Sequence, residues 1–329
     1  MPEPRLKSFN YAVGMFGTSI PINMLKTYAA FFYVDGLGLT TLQFSLILTV
    51  YAFIDAIDNP VYGFLSDRTR TRWGRRRPWL VIGTPLLALG LIAFFSPPAF
   101  LAGESLLGYA MLFYILTGTL DSVINANYGA LFPELFRTDE ARAKTNALRQ
   151  AFQLVAMIIS IALTPMITDA IGFTTTAVIY GLLGGSVILY MALTSREVRV
   201  EEHEQKPGLI ESVLALMKNR KFWIAGFANA FYAAAMALVM ASLPFFTKYT
   251  LGIPNSQSTI LFASVLLVAI ASVAAWAWLV RRFTLVPVWR AALISLAAAF
   301  VPLYFASSLA TAVVGSVLVG FGFAGVITT

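Results

Sequence analysis

Asp55, Asp58 and Asn59 stand inside the apolar run 42–66. At i, i+3 and i+4 they share one face of a helix, and Tyr62 at i+7 extends it. A carboxylate at membrane depth costs about 2.5–3.5 kcal/mol on insertion scales, so two together call for a function. Carboxylate and amide oxygens suit a hard cation such as sodium, with Asp55 as its main ligand. An acid at that depth can instead take up and release a proton. The plain alternative for Asp58 is a packing ion pair. A second polar line lies in the run 9–34, where Ser19, Asn23 and Lys26 stand at i, i+4 and i+7. A buried lysine needs a counter-charge. Lys26 either pairs with Asp55, Asp58 or Asp121 as a tethered cation, receives an anionic group of a solute, or snorkels to the outer interface. A third line, Thr117, Asp121, Asn125 and Tyr128, lies in the run 105–132. The Asn125 amide both donates and accepts, which suits a hydroxyl-bearing solute. Asp121 can grip such a solute or pair with Lys26 or Arg149. Tyr128, like Phe53, Tyr62, Trp223 and Tyr232, offers a ring that a sugar can stack on, or a plain core or belt aromatic. Arg149 is either a cavity residue or a topological anchor.

The elements that hold these residues follow from composition. The chain is 58% hydrophobic and 12% charged, against about 25% charge in soluble domains. A spanning helix needs roughly 20 apolar residues. Ten runs qualify: 9–34, 42–66, 77–96, 105–132, 147–168, 173–194, 220–247, 257–280, 287–306 and 309–329. Gly36-Leu37-Gly38, Pro97-Pro98 and Ile253-Pro254-Asn255 punctuate them. The fold class is therefore an all-α polytopic membrane protein. The polar stretch 195–219 reads as a linker between a six-helix bundle, 1–194, and a second bundle, 220–329; its amphipathic part, 209–217, suits a membrane surface. Four spans after the linker, the last ending at Thr329, fit an incomplete twelve-helix chain better than a ten-helix one.

Six of the 23 Lys and Arg residues, Arg68, Arg70, Arg72, Arg75, Arg76 and Arg77, crowd the end of the second run. With the N-terminus inside, every basic residue except Lys26 and Lys248 falls on an inner segment. That bias predicts a multi-pass protein of the cell membrane with a cytoplasmic N-terminus. It also accounts for the net charge of +7 without nucleic acid. Gly63 is expected to let helices approach closely and Asp67 to end the helix. Arg68, Arg72, Arg75 and Arg76 are expected to pair with acids or helix C-termini of the opposite bundle as a gate.

The stretch Asp55 to Trp79, with Asp55-Ala56-Ile57, Pro60, Thr71-Arg72-Trp73-Gly74 and Arg77-Pro78-Trp79, resembles the glycoside–pentoside–hexuronide:cation symporters. These are a melibiose permease-like branch of the major facilitator superfamily. Asn10-Tyr11-Ala12-Val13-Gly14, Tyr128-Gly129-Ala130-Leu131 and Pro133-Glu134-Leu135 resemble further parts of that family, with Arg142 and Arg149 in register. The resemblance covers most of 1–220. It implies a two-bundle fold with about ten of twelve helices present, symport with a proton or sodium, and a sugar-like substrate. Three positions depart from the pattern. Asn59, Ser19 and Asn125 stand where the family's second cation-binding acid and two sugar-binding acids align.

A membrane enzyme is disfavoured. The chain has no cysteine and one histidine, His203, in a polar segment, so neither a Ser-His pair nor a His-Glu metal pair is on offer. No cofactor is implied. The expected function is symport of a sugar, glycoside or hexuronide by alternating access. The alternatives are transport of a lysolipid or other amphiphile, and a non-transporting protein derived from a transporter.

Overall fold

The computed structural model describes residues 5–195 and 218–328. Most of them are helical. The expected first run is α1 (Arg5–Ala12) and α2 (Gly14–Ala30), parted only at Val13, followed by a π-helical turn, Phe31–Gly36. Then come α3 (Thr41–Arg68), α4 (Arg77–Phe94), α5 (Gly103–Leu135) and α6 (Asp139–Met157). A second π turn, Ile158–Ala162, leads into α7 (Thr164–Thr194), which breaks at Gly172. The remaining helices are α8 (Arg220–Phe245), α9 (Ser258–Phe283), α10 (Leu285–Tyr304) and α11 (Leu309–Thr328).

All ten expected runs are therefore helical, but not as ten clean rods. Among the described residues, seven helices are long and apolar enough to cross a membrane. The first run is divided at Val13. The fifth begins in the charged α6 and continues past the π turn to Gly172. Of the expected linker, 196–217 lie outside the described residues, and with them the amphipathic stretch and His203.

The chain forms two compact units, Met1–Arg149 with Ala177–Ser242, and Gln150–Thr176 with Leu243–Thr329. This grouping crosses the expected boundaries at 194 and 220. In the first unit, α5 packs along both α3 and α4. Its core joins Tyr11 of α1, Leu80 and Leu87 of α4, Ile124 and Tyr128 of α5, and Ile188 and Met191 of α7. Tyr11 and Tyr128 stack at 4.6 Å, and each hydroxyl donates to the other's backbone carbonyl, at 2.6 and 3.2 Å. In the second unit, α11 packs along α9 and α10, and Trp276 Nε1 donates to the Phe321 carbonyl at 2.9 Å.

Local chemistry sets the ends of α3 and α4. Thr40 and Gln43 form a capping box: the Gln43 amide N–H donates to Thr40 Oγ1 and the Thr40 amide N–H to Gln43 Oε1. After α3 the chain reverses through Thr71-Arg72-Trp73-Gly74, closed by Thr71 Oγ1 donating to the Gly74 carbonyl at 2.7 Å. Gly74 has φ 109°, a left-handed value that glycine adopts without strain. Pro78 then starts α4, where its missing N–H costs nothing.

The α3–α5 seam depends on Gly118. A Cβ there would collide with the Tyr51 ring, so only glycine admits that ring against α5. Gly63, in contrast, has open space around its Cβ position, so the close approach expected there is absent. Gly118→Ala gains up to about 1 kcal/mol of helix propensity but overpacks the seam by about 1–3 kcal/mol. A lowered thermal midpoint is expected, partly restored by adding Tyr51→Val. An unchanged midpoint for Gly118→Ala contradicts this packing.

Candidate functional site

The candidate site lies in the first unit, where three carboxylates line α3 and α5. With Tyr51 held against Gly118, its hydroxyl donates to Asp55 Oδ1 at 3.1 Å, one turn along α3. Ser122, one turn beyond Gly118 on α5, donates to the same oxygen at 3.1 Å. Thr119 donates to Asp58 Oδ2 at 2.7 Å. Asp58 is 8% exposed and Asp121 7%. Asp121 Oδ1 accepts from Asn125 Nδ2 at 2.7 Å, so these two are tied along α5.

All three acids are thus hydrogen-bonded by neutral donors, and among the described residues none forms an ion pair. The packing ion pair offered as an alternative for Asp58 is not formed. One oxygen of each of Asp55 and Asp58, Oδ2 and Oδ1 respectively, accepts no bond among the described residues. Asp58 is thus a buried residue that keeps one oxygen open as an acceptor. The side chain of Asn59, the third expected ligand, lies outside the described residues. Among the described residues no three His, Cys, Asp or Glu converge on a point. The oxygens gathered here are those of two acids and of the Tyr51, Thr119 and Ser122 hydroxyls, a donor set of the kind a hard ion accepts.

The expected solute-binding residues divide. Lys26 is exposed rather than buried, so it needs no counter-charge. It forms no ion pair among the described residues, yet it lies near enough to Asp121 for its charge to act on that carboxylate. Ser19 is buried without a side-chain hydrogen bond among the described residues, and Asn23 is half-buried and partnered. Tyr128 is 1% exposed and engaged by Tyr11 at ring and hydroxyl. In this structure it is core, with no free face for a sugar. The side chain of Tyr232 lies outside the described residues, Phe53 is exposed, and Trp223 stacks on Phe227.

Arg149 lies over an aromatic wall, 5.0 Å from the Tyr128 and Phe132 rings and 5.8 Å from Tyr11. Its Nη2 reaches Met15 Sδ at 3.9 Å. Its Nε is buried without a hydrogen-bond partner, and Arg149 forms no ion pair among the described residues. Cation–π contact offsets part of the desolvation of such a group and leaves an N–H for an acceptor.

The arginine stretch is organised around an acid on α5. Glu134 Oε1 accepts from Arg75 Nη2 at 3.1 Å and from Arg76 Nε at 3.0 Å. Arg76 Nη2 reaches Asp67 at 2.8 Å, and its Nη1 reaches Ser66 Oγ at 3.3 Å. Arg77 donates to the last carbonyls of α7, Ala192 at 2.7 Å and Leu193 at 3.0 Å, where the helix dipole favours a cation. These contacts of Arg75, Arg76 and Arg77 lie within the first unit. Arg68 lies on the Phe64 ring at 3.7 Å, and Arg72 is exposed beside Trp73. Sequence reasoning passed over Tyr51, Thr119, Ser122 and Glu134 as site residues. Tyr51 at i−4 from Asp55 was the recoverable signal. The other three need the α3–α5 and α4–α5 registers.

The family described as MFS/sugar transport protein matches residues 10–329. The isoprimeverose transporter of Lactiplantibacillus pentosus is 27% identical over 291 residues, 85% of this chain and 60% of that protein. An inner membrane symporter of Escherichia coli K12 is 27% identical over 259 residues, 76% of this chain and 55% of that protein. An uncharacterized symporter of Synechocystis is 32% identical over 214 residues, 62% of this chain and 38% of that protein. The matched regions thus span between 38% and 60% of these relatives' lengths. A bacterial homologue of the human lysosomal transporter Spinster, inward-facing and unoccupied, aligns with a TM-score of 0.71 at 14% identity. That alignment covers 98% of this chain and 73% of the homologue, and supports the fold alone.

The arginine cluster makes a stability prediction. The Glu134 side chain is 14% exposed and serves two guanidiniums; that of Asp67 is 39% exposed. Removing one partner of a buried pair costs about 3–5 kcal/mol, whereas exposed pairs are worth about 0–1 kcal/mol. Glu134→Gln should therefore cost about 2 kcal/mol or more and Asp67→Asn under about 1 kcal/mol, read by thermal unfolding in detergent. Equal losses contradict the assignment of Glu134 as the hub.

Proposed function

The chain belongs to the MFS/sugar transport protein family, and from that premise we propose that it carries a sugar-like solute by cation-coupled symport. The observation that carries the coupling is the α3–α5 seam. Asp55 and Asp58 lie in an apolar helix pair, are held by neutral hydroxyls and retain open acceptor oxygens. Two carboxylates so placed repel one another, and a sodium ion or a proton relieves that repulsion. Alternating access ties relief to solute transfer: the carrier exposes the seam loaded with both or with neither. Asn59 stands where the family's second cation-binding acid aligns, so one charge is lost from that pattern and a proton suits the seam as well as sodium does.

For the solute, Lys26, Asp121 with Asn125, Ser19, Asn23 and Arg149 form the proposed lining. Arg149, whose Nε is buried without a hydrogen-bond partner among the described residues, favours a solute with an anionic group, such as a hexuronide, over a neutral glycoside. In the topology proposed from charge bias, the N-terminus and the arginine stretch are cytoplasmic and the protein resides in the cell membrane as two helical bundles. The Glu134 hub then ties the ends of α3, α4 and α5 into one body, leaving Arg68 and Arg72 to meet the opposite bundle during gating.

Uptake into proteoliposomes, with the sodium gradient and the pH gradient imposed separately, is expected to respond to one of them. Uptake indifferent to both sinks the symport reading. Lys26→Gln separates two roles. If Lys26 receives an anion, hexuronide binding weakens about tenfold or more while neutral glycosides bind as before, in keeping with a charge-assisted hydrogen bond of about 1.5–3 kcal/mol. If it is a tethered cation near Asp121, both solutes suffer alike. Unchanged transport of both removes Lys26 from the site.

A further inference from the structure

A groove of about 490 Å³ runs between α3, α4 and α5 of the first unit. Tyr62, Trp79, Ile82, Leu86, Leu116 and Thr119 are among the residues that line it. The wall is almost wholly apolar, and Ile82 is 63% exposed, so no other part of the described chain covers it. At one end Trp79 Nε1 donates to Thr69 Oγ1 at 2.9 Å, and both residues line the groove. The next residue, Arg70, is exposed and makes no hydrogen bond, ion pair or ring contact among the described residues. Arg68 and Arg72 are exposed on either side of it. An apolar trough that ends at an indole, with the exposed Arg70 guanidinium next along the chain, has the polarity of a phospholipid: hydrocarbon, interfacial aromatic, phosphate.

We propose that this groove is a binding site for one anionic phospholipid. An acyl chain lies along Ile82, Leu86 and Leu116, and the headgroup phosphate meets Arg70. Charge complementarity selects an anionic headgroup over a zwitterionic one, and the groove volume falls within the roughly 300–1,000 Å³ of small-molecule pockets. Thr119 is in the groove wall and its hydroxyl donates to Asp58. The lipid chain therefore seals the outer side of the seam one hydrogen bond from a carboxylate. The site rests on the proposed membrane topology and is independent of cation coupling.

The test uses the full chain in nanodiscs and in detergent, with phosphatidylglycerol and phosphatidylcholine as the two probes. Native mass spectrometry of the wild type should retain one phosphatidylglycerol in preference to phosphatidylcholine. Arg70→Gln should weaken phosphatidylglycerol retention about fivefold, and Arg70→Lys should restore it. Ile82→Trp, which fills the trough, should lower retention of both lipids while thermal unfolding reports an intact fold. Equal retention of the two lipids by the wild type overturns the proposal. So does undiminished phosphatidylglycerol retention by Ile82→Trp, which would leave only a surface charge effect. Because the chain has no cysteine, a single Thr71→Cys labelled from either side reports the topology separately.

Discussion

The Asp55 carboxylate is held between α3 and α5 by two hydroxyls on one oxygen, and much of the first unit is arranged to make that possible. Ionised groups within an apolar bundle are tolerated when they are satisfied, and full satisfaction by arginine or lysine would leave nothing for a transported cation. Neutral donors offer a middle course. They soften the desolvation cost of Asp55 and Asp58 by about 1.5–3 kcal/mol per bond, yet leave the charge uncancelled. The geometry begins with a missing side chain: Gly118 admits the Tyr51 ring, Tyr51 reaches Asp55, and Ser122 completes the pair.

The opposite solution operates at the arginine end of the same helices. There Glu134, Asp67 and the carbonyls of Ala192 and Leu193 meet arginines directly. Arg76 is 7% exposed, so its charge must be paired, and two carboxylates share it. Pairing makes that end rigid, while the seam above it keeps acids available. A carrier needs both, a body that moves as one and a charge state that can change. The aromatic wall under Arg149 is intermediate, a cation steadied by rings with one N–H unspent.

How far the sequence revealed this depends on the length scale. Apolar runs gave all ten helical stretches, with ends close to Gly36-Leu37-Gly38 and Pro97-Pro98, because burial and breakers act locally. Division of the first run at Val13 carries no such mark, since the backbone there stays helical and only hydrogen bonding shifts. The helical face of Asp55 and Asp58 was legible from spacing. Their partners were not, because Thr119 and Ser122 look ordinary until the register of α5 against α3 is known. Tyr128 shows the converse. Its type and position suggested a sugar platform, and the Tyr11 ring occupies it instead. Gly63 looked like a contact glycine and stands in open space, whereas Gly118 does the work expected of it.

In the proposed mechanism the Asp55 and Asp58 carboxylates couple cation movement to solute movement without themselves being the route of the solute. The most direct test compares two assays of one variant, Asp55→Asn combined with Asp58→Asn, in proteoliposomes. Exchange of labelled for unlabelled solute needs carriage only, and accumulation against a gradient needs coupling. The account predicts that exchange persists while accumulation falls to the equilibrium level. Accumulation that survives at the wild-type level contradicts it.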